Sequence, residues 1–144
     1  MMALYKSDQM RPTTAMSTIH DQVHARFKLF AGTLEAGNSL ATLAAAVEGF
    51  AASSNVAPKS IGVEYLEHSK RVLISLGYRD DEPAYAIRLH TVSLGRASAL
   101  DAGELQRIEE RMAVEAAKLS HVICHELFVT EHDEFLMVFM TLRG

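Results

Sequence analysis

The stretch His121–Leu142, HVICHELFVTEHDEFLMVFMTL, decides how the chain is read. Two runs rich in β-branched and aromatic residues flank the polar tetrad Glu131-His132-Asp133-Glu134, the pattern of a β-hairpin with a loop longer than a tight turn. The second strand, Phe135 to Leu142, carries Phe135, Met137 and Phe139 on one face and Leu136, Val138, Met140 and Leu142 on the other. A strand with one face in water alternates polar and apolar residues, whereas one that is apolar on both faces needs cover on both. The spacing predicts a central strand with something packed on each side.

Upstream of the hairpin, Asp101 with Glu104 three residues later resembles a capping box with Asp in the Ser/Thr place. The stripe Leu105, Ile108, Met112, Ala116 and Leu119 then predicts a helix to about Leu119. Before it, Tyr85 to Leu94 reads as a strand with Tyr85, Ile87 and Leu89 on one face and Arg88 and His90 on the other. Arg71 to Tyr78 alternates Val72, Ile74, Leu76 and Tyr78 against Ser75 and Gly77, and Lys59 to Glu67 places Ile61, Val63 and Tyr65 opposite Glu64 and Leu66. Ser39 is placed to cap a helix to about Ser53, whose stripe is Leu40, Leu43, Ala44, Val47, Phe50 and Ala51. The first strand is expected from about His24 to Gly32. Residues 1–18 lack sustained periodicity and read as a mobile leader, with residues 19–144 as a single α+β domain.

The order strand, helix, strand, strand thus occurs twice. Ser39 corresponds to Asp101, Glu64 to Glu126, and Glu67-His68 to Glu131-His132, all at even separations that keep side-chain parity. The fold class expected is α+β, two βαββ units forming a mainly antiparallel sheet with two helices on one face. A ferredoxin-like core with extra strands is the alternative. Two helices on one face leave the other for solvent, a ligand or a second copy, and parity assigns to it Lys28, Phe30, Glu64, Arg88, Cys124 and Glu126, among others, with Met137 and Phe139 added from the last strand. Tyr65, Tyr78 and Tyr85 fall on the helix-packed face.

Composition narrows the function. A chain of 144 residues with 49% hydrophobic and 22% charged residues can bury its own core without a metal or disulfide. A formal charge of -4 gives no electrostatic reason for nucleic acid or an anionic membrane as partner. Cys124 is the one cysteine, so no internal disulfide forms, and the absence of a charged-then-apolar signal makes the cytoplasm the expected location.

Nothing in the pattern favours catalysis. The run Cys124-His125-Glu126 looks reactive as text, but neighbours on a strand point to opposite faces, so Cys124 and His125 cannot form a nucleophile and base pair. His121 and His125 lie about 13 Å apart along a strand, too far for one ion to bridge. His20 and His24 would chelate only if their segment were helical. No phosphate-binding, zinc-peptidase, nucleophile-elbow or paired-cysteine motif is present, and no cofactor is expected.

Glu64 and Glu126 carry more information, because each sits inside an otherwise apolar strand. A carboxylate on a half-apolar face costs energy unless it is solvated or paired, so each calls for a partner such as Arg88 or a cationic ligand. The doubled strand-helix-strand-strand plan over about Val23 to Leu142 is similar to that of the gyrase-inhibitor-like effector-binding domains. That resemblance of element order implies a groove for small, often cationic, molecules, with a strand glutamate at the position of Glu64 or Glu126 meeting the ligand. The expectation is a non-catalytic small-molecule-binding domain with Glu64, Arg88 and Glu126 as ligand contacts and no metal site. Its expected partners are a small molecule and a second copy of the chain, with neither nucleic acid nor membrane. The alternative is a homodimeric structural or interaction protein.

Overall fold

A computed structural model describes residues 25–143 of the chain. The predicted leader, residues 1–18, and the His20/His24 pair lie outside the described residues. In order, the elements are strand β1 (Ala25–Thr33), helix α1 (Ala41–Ser54), strands β2 (Ala57–Leu66), β3 (Arg71–Arg79) and β4 (Ile87–Arg96), helix α2 (Ala102–Ala117), and strands β5 (Val122–Val129) and β6 (Glu134–Leu142). They make an α+β structure with two three-stranded antiparallel sheets, β1-β3-β2 and β4-β6-β5. In both sheets the last strand to form in the chain lies in the middle.

The two-faced strand explains the packing. Phe135 to Met140 are all buried, and the alternation of a strand divides them between two cores. Leu136, Val138 and Met140 join Leu43, Val47 and Ala51 of α1 and Val72, Ile74 and Leu76 of β3. Phe135, Met137 and Phe139 join Ile108 of α2, with Leu94 and Ala97, in the second core. The expectation of two helices on one face is therefore corrected: α1 and α2 lie on opposite faces of β6. A strand apolar on both sides recruits a layer to each. The single continuous sheet is also replaced, since no backbone ladder joins β2 to β5, which face each other at a seam.

α1 lies against the outer strands β1 and β4. Its carboxylate Glu48 Oε2 accepts the backbone N–H of Leu89 at 2.8 Å, capping part of the outer edge of β4. The helix begins one residue later than Ser39 suggested, with Leu40 at the N-cap and no cap from that side chain. Ser39 Oγ instead accepts from Ala41 N at 3.1 Å, and Glu35 accepts from the Thr42 N–H at 3.1 Å and hydroxyl at 2.8 Å. These bonds hold the Glu35 carboxyl below the usual range, the backbone bond from Thr42 most of all. Glu35 can reach because Gly37 and Asn38, at φ of 74° and 60°, reverse the chain between it and Ser39.

α2 starts as its sequence predicts. Asp101 Oδ1 accepts from Glu104 N at 2.9 Å, and Glu104 Oε1 accepts from Leu100 N at 2.7 Å, one residue earlier than in a standard capping box. Asp101→Ala is expected to lower stability by about 1 kcal/mol, read from urea unfolding. An unchanged midpoint would show that the cap contributes nothing.

β1 departs from the parity expected of it. Its pairing sets Phe30 opposite Ile74 and Lys28 opposite Leu76, on the α1 side. There the Phe30 and Phe50 rings meet edge to face at 5.8 Å, and Lys28 Nζ lies 5.8 Å from the Phe50 ring centre. Phe27 and Leu29 face outward instead, 72% and 62% exposed. The three tyrosines, in contrast, pack against the core that contains α1.

Candidate functional site at the seam

Contacts across the seam advance together along both strands. The Cys124 thiol meets the Ile61 backbone, Glu126 approaches Gly62, and Tyr65 Oη donates to Glu131 Oε1 at 3.2 Å, so β2 and β5 run in the same direction. Lys70 Nζ, 3.5 Å from the same Glu131 oxygen, helps close one end. Burial first, and then the Glu131 carboxylate, push the Tyr65 phenol up, which keeps it a neutral donor.

A cavity of about 290 Å³ opens on this seam, lined by Gly62, Val63, Glu64, Leu73, Ser75 and Glu126. The register of β2 on β3 places Gly62 opposite Ser75 and Glu64 opposite Leu73, so these four share one face. Glu126, opposite Val138 on β6, reaches in from the other sheet. Gly62 keeps the floor open: a Cβ there would lie 2.7 Å from Ser75 Oγ and 3.8 Å from Glu126 Oε2. The sequence marks Gly62 only as a glycine within a strand, which signals close approach without saying of what.

The structure thus brings together Glu64 and Glu126, two of the three expected contacts. Glu64 is exposed and Glu126 half-buried, and among the described residues neither has an ion pair or hydrogen bond. No basic side chain lines the cavity. Two carboxylates converging without a cation repel one another, and a bound cation would remove that repulsion.

Arg88 does not join them. It stands on β4 opposite Thr141, with β6 and β5 between it and the seam. It also lies on the face of its sheet that carries Phe139 and meets α2, whereas Glu126, opposite Val138, lies on the other, so the expectation that the two share a face is corrected. The distance across the sheet depends further on strand order, which local pattern does not carry.

The thiol is placed unfavourably for catalysis. Cys124 packs beside the first core, and burial pushes its pKa up, with the nearby Glu126 charge acting in the same direction and the Ile61 backbone bond opposing them. His90 lies on β4, separated from β5 by β6, and His125 turns to the other face, its ring 6.4 Å from that of Phe139. Neither can serve Cys124 as a base. Among the described residues no group of three or more His, Cys, Asp and Glu side chains could hold a metal ion, and no helix is long and apolar enough to cross a membrane.

Comparison of the chain with protein-family models, with curated proteins and with solved structures found no match.

Proposed function

We propose that the chain is a non-catalytic small-molecule-binding domain, built from two βαββ units, that takes a small cationic ligand in the seam cavity. The observation that carries this reading is the convergence of Glu64 and Glu126 on one cavity with no basic residue to neutralise them. The two-unit reading is supported by the equal strand orders and by the position of each glutamate. Glu64 opposite Leu73 and Glu126 opposite Val138 each lie on the sheet face away from the helix of their own unit. Parallel strands at the seam with helices on opposite faces are what a two-fold axis along the strand direction generates.

The test is titration of the full chain with primary amines and diamines such as putrescine, followed by calorimetry. Glu64→Gln and Glu126→Gln are each expected to weaken amine binding about tenfold, equivalent to about 1.4 kcal/mol, with a greater loss in the double variant. Amine binding unchanged in the double variant would sink the proposal, as would a wild-type chain that binds no amine.

A second reading, the homodimeric interaction protein, is favoured by the outward Phe27 and Leu29. Under that reading Phe27→Asp halves the mass measured by light scattering. A wild-type chain that is monomeric at all concentrations tested removes it.

A further inference from the structure

The region around Arg88 has an organisation of its own. α2 ends at Ala117, having covered Phe135, Met137 and Phe139, while the sheet beneath continues through the paired residues Arg88 and Thr141. After the helix, Leu119 folds down against the second core, its N–H donating to Ala116 O at 3.1 Å. The step between helix end and sheet end leaves a cavity of about 320 Å³, with Arg88, His90 and Thr141 among its lining, Lys118 and Ser120 beside them and Arg143 at its rim. The rim is held in place: Leu142 N donates to His121 O and Arg143 N to Ala86 O, both at 3.0 Å.

The charge here is one-sided. No acidic side chain lines the cavity, and among the described residues Arg88 and Arg143 have no ion pair. Lys118 is partly neutralised by Glu115 at 3.1 Å, which Arg111 also approaches at 3.2 Å. His90 Nε2 lies 3.0 Å from Thr141 Oγ1. When that nitrogen carries its hydrogen, it donates to Thr141 Oγ1, and Thr141 keeps its own hydroxyl hydrogen to donate into the cavity. The carbonyl end of α2 opposes an anion with about half a unit of negative charge, against two full guanidinium charges. The guanidinium forks prevail, and their planar paired donors match the oxygens of a phosphate group.

We propose that this cavity is a second binding site, distinct from the seam, that takes a phosphate group through Arg88 and Arg143, with Thr141 and Ser120 as neutral donors. The group is either free phosphate or the phosphate of a small phosphomonoester.

The experiment titrates the full chain with inorganic phosphate and with glycerol phosphate at constant ionic strength, following backbone amide resonances. Saturable shifts are expected around Arg88, Ser120, Thr141 and Arg143 and not at Glu64 or Glu126. Arg143→Gln is expected to weaken binding at least fivefold, Arg88→Gln with Arg143→Gln at least twentyfold, and Arg88→Lys less than Arg88→Gln. Tighter binding of glycerol phosphate assigns the site to phosphomonoesters, and equal or weaker binding assigns it to free phosphate. Shifts that chloride reproduces, or binding unaffected by Arg143→Gln and by the double substitution, overturn the proposal.

Discussion

Phe139→Asp is expected to unfold the chain. Phe139 is 2% exposed and packs with Met137, Leu94 and Ile108 between β6 and α2. Removing a buried phenylalanine ring costs about 3–5 kcal/mol, and placing an unpaired carboxyl there adds several more, whether it stays charged or takes up a proton. Against a total stability of about 5–15 kcal/mol for a domain, such a loss leaves little or none. Far-ultraviolet circular dichroism and urea unfolding read the result. A cooperative transition near the wild-type midpoint would mean that α2 does not cover this face. Phe27→Asp is the control, since Phe27 is 72% exposed and its replacement is expected to change the stability of the protomer by no more than about 0.5 kcal/mol. The pair separates a residue that holds the fold from one that lies on its surface, although both are phenylalanines in strands.

Gly95→Ala is expected to cost about 2–4 kcal/mol, for two reasons that act together. Gly95 has φ of 96°, outside the region that a residue with a Cβ adopts without strain. It also lies at the register shift between β4 and β6, where a Cβ would fall 3.0 Å from Arg107 Nη1. That guanidinium donates to Leu94 O at 3.2 Å and to Arg96 O at 2.7 Å, tying α2 to the end of β4. An added methyl strains the backbone and displaces the group that fastens the helix over it. The check is the urea midpoint compared with that of Arg107→Ala, which loses the two hydrogen bonds but keeps the relaxed backbone. If Gly95→Ala costs no more than Arg107→Ala, the backbone term is absent.

Most of the elements were legible because their signals are local. The alternation of Val72, Ile74 and Leu76, the cap at Asp101 and the two-faced run from Phe135 each describe a segment without reference to its neighbours. What failed depends on neighbours. The double apolar face of β6 correctly demanded two covers, yet which helix supplied which cover follows from chain crossings that periodicity does not encode. β1 was misassigned because Phe27, Leu29 and Phe30 are all apolar, so composition could not say which side meets α1. The site divided in the same way. Glu64 and Glu126 stood out as carboxylates within apolar strands, and their meeting required only that the two units adjoin. Arg88 carried the same kind of signal but sits on an outer strand and on the α2 side of its sheet, the face opposite that of Glu126, so face parity misplaced it and said nothing about reach.

The bond from Glu48 to Leu89 bears on how copies of the chain could add to one another. Every sheet ends in strands with unpaired backbone groups, and such edges are where chains stack without limit. Here β2 and β5 shield each other, and a carboxylate of α1 already occupies a donor on β4. Among the described residues no side chain bonds the backbone of β1, which is therefore the more open of the two outer edges. A contact made by one edge alone must be made with itself, about a two-fold axis, and is complete once two molecules have met. The geometry that leaves β1 open therefore favours a closed pair over a growing filament.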